Sequence, residues 1–137
     1  MEIHYQEFEE EKLLVIKYVG NFSIQKYIDI ISNYNYELKF EKILTDLRET
    51  NIEDVLSGLK KMKEVNRDIE DKTFFHVYLV DTPKNTAIVD IYINSKTSKN
   101  KEYRYCSTLN YALNLLELDM SENEIAYILS NLKNKIS

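Results

Sequence analysis

Glycine, proline, cysteine and tryptophan are nearly missing from this chain: two, one, one and none among 137 residues. Two glycines, Gly20 and Gly58, are too few for a glycine-rich phosphate cradle, which excludes a nucleotide-binding loop. One cysteine, Cys106, excludes an internal disulfide and any multi-cysteine metal site. As a nucleophile it would need a base and an oxyanion donor, and the sequence nominates neither, so it reads as a small buried residue at a strand end. No apolar run approaches the ~18 residues of a membrane span. The start, Met1 to Glu7, lacks the basic and apolar regions of a signal peptide, so a cytoplasmic protein is expected. Positive charge is short as well. A net charge of −5 argues against a general nucleic-acid binder, which needs a basic face to neutralise phosphates.

What is present suits one globular domain over residues 1–137, long enough to bury roughly 70% of its unfolded surface. Eleven tyrosines supply many rings whose hydroxyls need partners when buried. Ile3 to Phe8 and Leu13 to Val19 read as strands around the acidic turn Glu9 to Lys12. The continuous apolar run Leu13 to Ile16 predicts a central strand covered on both faces. Gly20 and Asn21 break it; Ser23 then caps a helix with Ile24, Tyr27, Ile28 and Ile31 inward, and Phe22 stapled to Tyr27.

A third strand spans Lys42 to Leu47. Thr50 or Asn51 is expected to cap the next helix, with Ile52, Val55, Leu56, Leu59, Met62 and Val65 as its buried stripe. A fourth strand, Thr73 to Val80, leads to Thr82 as cap and Pro83 at the first position of a helix with Ala87, Ile88, Ile91 and Tyr92 inward. The polar loop Asn94 to Asn100 precedes a strand at about Glu102 to Cys106. Ser107 or Thr108 then caps a helix burying Leu109, Ala112, Leu113 and Leu116. Ser121 and Glu124 form a capping box for an additional C-terminal helix over 119–137. The order, a hairpin followed by alternating strands and helices, predicts an α/β fold with a mixed sheet of about five strands and parallel, right-handed βα units.

Candidate chemistry is sparse. Asp46 and Arg48 lie two apart at a strand end and share a side. They read as an acid with a basic partner or, as we favour, as strand-end charges that bind loop amides and a helix start, because no second acid cluster joins them. A phosphoacceptor receiver domain would need an acidic pair directly after its first strand and a later strand-end lysine. Here the acids Glu9 to Glu11 sit in the hairpin turn and the fourth strand ends on Val80-Asp81. His4 and His76 have no metal-ligand spacing around them and read as structural. The basic loop Lys96 to Lys101 reads as a solvated turn. His76, Tyr78, Tyr103 and Tyr105 fall on adjacent strands. If helices cover only one side of the sheet, part of this set faces outward as an amphipathic surface for a protein or an apolar small molecule; otherwise it packs beneath helices.

Tyr18-Val-Gly20 before a helix, Ile43 to Arg48, and Tyr105 to Ala112 followed by Leu115-Leu116 resemble the STAS-like (SpoIIAA-like) family over roughly residues 3 to 118. The resemblance implies a (βα) superhelix with helices mainly on one face. It also implies a non-enzymatic switch that works through protein contacts and is controlled by phosphorylation of a serine in an Asp-Ser-Ser-Gly motif. Counted without gaps from Asp46, Asp54 falls on the motif aspartate and Val55 on the serine position; Ser57-Gly58 echoes the motif only with two residues inserted. The expectation is therefore a bacterial signalling domain with a protein partner, no cofactor or metal, and no usual phosphoserine switch. Its recognition residues would be Thr50, Asn51, Glu53, Asp54 and Ser57. A carrier of an apolar or lipid-like ligand on the Tyr/His side is the alternative, and a homodimer is left open.

Overall fold

The computed structural model describes residues 1–33, 40–65, 74–96 and 101–136. Strands β1 (Glu2–Phe8) and β2 (Leu13–Asn21) are joined by a tight turn in which Lys12 has a φ of 51° and its N–H bonds the Glu9 carbonyl at 3.2 Å. Then follow α1 (Ile24–Asn33), β3 (Lys42–Asn51), the one-turn α2 (Asp54–Ser57) and α3 (Leu59–Val65). The second half comprises β4 (Phe74–Leu79), α4 (Pro83–Asn94), β5 (Lys101–Cys106), α5 (Leu109–Leu115), α6 (Glu122–Ser130) and β6 (Asn134–Ile136). One sheet holds the strands in the order β5-β4-β3-β2-β1-β6. β2 to β5 run parallel, and β1 is antiparallel to both its neighbours.

The order from β1 to β5 is sequential, and this decides where the connecting helices go. Parallel crossovers are right-handed almost without exception, so steps that all move the same way put their helices on the same face. α1, α2, α3 and α4 pack there, over Ile16, Tyr18, Ile43, Leu47 and Tyr78 of the sheet. The alternate residues Leu13, Val15, Leu44, Val77 and Leu79 point the other way. They form a second core with Leu109, Ala112, Leu113 and Leu116 of the α5 segment and Ile125 and Leu129 of α6. Capping follows the sequence pattern. The hydroxyls of Ser23, Thr82, Thr108 and Ser121 accept from the N–H groups of Lys26, Asn85, Tyr111 and Glu124 at 3.1–3.3 Å. Phe22 and Tyr27 staple with ring centroids 5.6 Å apart.

The structure departs from expectation in several places. Among the described residues the sheet has six strands, because the segment read as one helix over 119–137 is α6 followed by β6, which pairs with the outer side of β1 (Ile3 opposite Ile136). Four helices share one face, but α5 and α6 build a second layer, as strands apolar on both sides require. The helix expected from Ile52 to Val65 breaks at Gly58, against which α1 packs so closely that a Cβ there would lie 2.3 Å from Ile24 Cδ1. Leu56 is consequently 46% exposed, since the single turn of α2 directs only Val55 inward.

β3 runs on to Asn51, so Thr50 and Asn51 are strand residues rather than helix caps. The Thr50 hydroxyl donates to the Gly20 carbonyl, and Asn51 Oδ1 accepts from Glu53 N–H at 3.0 Å. α4 buries Asn85, Ile88, Val89 and Tyr92, leaving Ala87 and Ile91 outside, because Asn85 is drawn in by carbonyls at the end of β3. Thr73, residues 97–100 of the polar and basic loop, and the side chains of Ile31 and Val65 lie outside the described residues. No helix among the described residues is long and apolar enough to cross a membrane.

Candidate functional site

β3 lies between β2 and β4, and its C-terminal end is where parallel sheets usually present working groups. Asp46 follows Leu44 at the two-residue period, so it shares the face covered by α5 and α6, and it is 1% exposed. Its carboxylate accepts from Arg48 three times: the backbone N–H and Nε at 3.0 Å and Nη2 at 2.9 Å. Those hydrogen bonds raise the Arg48 pKa above its ordinary value against the opposing effect of burial, with Asp81 and Glu49 adding to the rise. Lys17, in register with Asp46 on β2, pairs with Glu49. Among the described residues the only amide that Asp46 binds belongs to Arg48 itself, and none at the helix start joins it. The guanidinium fork and the Arg48 N–H engage both oxygens of this carboxylate and tie it to its own strand end.

His76, Tyr78 and Tyr103 are brought together on the opposite face, beneath the connecting helices. His76 stacks on Tyr78 with centroids 4.1 Å apart, lies 6.0 Å from Tyr103, and shares a 2.7 Å hydrogen bond between Nε2 and Thr45 Oγ1. Burial pushes the His76 pKa down to about 3, and the Lys96 charge adds to this. Burial likewise raises Tyr103 to about 12 and Tyr78 well above its ordinary value. These rings are therefore neutral at ordinary pH. Just past the end of α4, Lys96 stands over Tyr92 at 4.4 Å and Tyr103 at 5.6 Å, contacts that the strand pattern could not supply. Tyr105 stays at the sheet edge, where its hydroxyl donates to Asp90 at 3.2 Å.

The third constellation is the β3–α2 corner, tied down from three directions. Asp54 Oδ2 accepts from Ile24 N–H at 2.8 Å, so this acid helps to cap α1. Asn85 Nδ2, itself buried, donates to the Thr50 carbonyl at 2.8 Å, and Lys84 pairs with Glu53. Ser57 Oγ bonds Asp54 at its carbonyl (2.9 Å) or Oδ1 (3.1 Å). Val55 is 6% exposed within the main core. Sequence reasoning placed Glu53, Asp54 and Ser57 here but missed Leu56, taken for core, and Lys84 and Asn85, which come from another helix. A helical stripe joins α2 from that side: Lys84 reaches Glu53, so Ala87 and the 47%-exposed Ile91, three and seven residues on, turn the same way.

The remaining candidates stay apart. His4 Nε2 bonds Glu2 at 3.1 Å near the β6 edge. Cys106 is buried, its Sγ directed at the Thr108 carbonyl at 3.6 Å, and burial pushes its thiol pKa up. Among the described residues no group of three His, Cys, Asp or Glu side chains could hold a metal ion. No protein-family model and no curated protein matches the chain.

Proposed function

We propose that this chain is a STAS-like (SpoIIAA-like) regulatory domain, non-catalytic, that acts in bacterial signalling in the cytoplasm through protein contacts at the β3–α2 corner. The sequential strand order with every crossover helix on one face supports the family reading, since that is the superhelix the resemblance implies. Val55 buried at the serine position supports a domain without the phosphoserine switch, because a core valine neither accepts phosphate nor reaches a kinase.

The observation that carries the proposal is Leu56, a large apolar side chain exposed on a one-turn helix whose base is pinned by Asp54, Asn85 and Lys84. A rigid apolar knob rimmed by Glu53, Asp54 and Lys84 has the form of an interface anchor in a polar ring. Recovery of a partner on the intact protein as bait tests this. The partner should be lost with Leu56→Ser and weakened with Ile91→Ser, yet kept with Tyr127→Ser on α6. A partner that binds all three variants alike would refute the corner as its site. The carrier reading rests on the neutral His76, Tyr78 and Tyr103 rings. They fill one another's space at 4.1–6.0 Å, so ligand entry would have to part them. A ligand retained in intact-mass spectra of natively purified protein would move the assignment there.

A further inference from the structure

β5 is the last strand on its side of the sheet, and no described residue pairs with its outer side. It spans six residues, Lys101–Cys106, without proline or glycine, whereas the opposite edge is closed by the three-residue β6. An edge of this length presents unpaired N–H and C=O groups to any strand that fits them. The phase of those groups follows from one bond: the Cys106 carbonyl accepts from Val80 N–H at 2.9 Å and so points inward, past the end of β4. Because directions alternate along a strand, the backbone groups of Glu102 and Arg104 also point inward, and those of Lys101, Tyr103 and Tyr105 point outward. This outward set is symmetric about Tyr103.

We propose that β5 is a homodimer interface, in which two copies join antiparallel along this edge about a two-fold axis through Tyr103 and extend the sheet across both chains. In that register Tyr103 faces the partner's Tyr103 and Lys101 faces the partner's Tyr105, so each outward N–H and C=O meets its complement. Between these pairs Glu102 stands opposite the partner's Arg104, and Arg104 opposite the partner's Glu102, with Cα atoms about 4.5 Å apart. Both side chains are exposed, at 63% for Glu102 and 54% for Arg104. Within one chain they make only a 3.9 Å contact, while Arg104 Nη1 holds the Tyr103 carbonyl at 2.9 Å. Arg104 thus shields the central acceptor of the edge in the monomer, and pairing hands that acceptor to the partner's Tyr103 N–H and the guanidinium to the partner's Glu102. A parallel arrangement would set Glu102 near the partner's Glu102, so charge selects the antiparallel one. The interface stands independently of what binds the β3–α2 corner.

Sedimentation of the full chain over a concentration series tests the proposal, with a monomer–dimer equilibrium expected. Glu102→Arg alone, or Arg104→Glu alone, turns two attractive cross-strand pairs into repulsive ones and should raise the dissociation constant about tenfold or more. Combining the two reversals restores complementarity and should restore the dimer. Hydrogen exchange gives a second readout without mutation, since the Tyr103 and Tyr105 amides should slow as concentration rises. A monomer at every concentration, a dimer indifferent to both single reversals, or edge amides that exchange equally fast at all concentrations would overturn it.

Discussion

A histidine stacked on Tyr78 and bonded through Nε2 to Thr45 has little room for a proton, and its environment works against one. Burial, with the Lys96 charge behind it, takes the His76 pKa from an ordinary 6.5 to about 3. The folded protein therefore keeps this ring neutral through a range in which the unfolded chain protonates it. Stability from this group is complete above about pH 6.5 and is lost as pH falls toward 3, with a slope of up to about 1.4 kcal/mol per pH unit. Urea unfolding at pH 7 and pH 5 should show a lower midpoint at pH 5, and His76→Gln should flatten that difference while retaining a partner for Thr45. An unchanged pH dependence in the variant would assign the acid sensitivity to other groups. At this scale the sequence was partly readable: Asp46 and Arg48 were identifiable as a pair because a strand places i and i+2 together. Asn85 was not, because the carbonyl it serves belongs to Thr50, 35 residues away.

Among the elements, legibility follows the range of the interactions that define them. Caps were readable at Ser23, Thr82, Thr108 and Ser121 because donor and acceptor lie three residues apart. The break between α2 and α3 was not, because it sits against Ile24, far back along the chain. Gly58 has a φ of −119°, open to any residue, so its requirement is one of space and not of backbone conformation. Gly58→Ala would set a methyl 2.3 Å from Ile24 Cδ1 and 2.4 Å from Cγ1, and should destabilise the fold by about 1–3 kcal/mol. Ile24→Ala removes both atoms. In the double variant the loss should fall short of the sum of the single losses by about 1 kcal/mol or more, measured by chemical unfolding. Strict additivity would mean that Ile24 simply turns away from the added methyl.

Across the whole molecule, the two edges of the sheet are finished differently. The alternation of strands and helices disclosed the α/β class and its parallel βα units, since a strand that returns through a helix pairs parallel to the one before it. It could not disclose β6, whose three residues have no apolar rhythm and are recruited by the free side of β1. β6 covers three of the seven residues of β1, Ile3 to Tyr5, and Lys135 reaches Glu2 at 2.9 Å. Removing residues 133–137 leaves Leu132 and the α6 packing in place but opens that edge. The loss of stability should be small, about 1 kcal/mol, because little apolar surface leaves with β6. The larger effect should be on association. A chain open along both β1 and β5 has two strand surfaces that pair without closing a ring, and such contacts extend into open assemblies. Light scattering of the truncated chain should report species beyond those of the full chain, growing with concentration. An unchanged size distribution would show that β1 is blunted by its own acidic residues, Glu2 and Glu7, and that β6 serves packing alone.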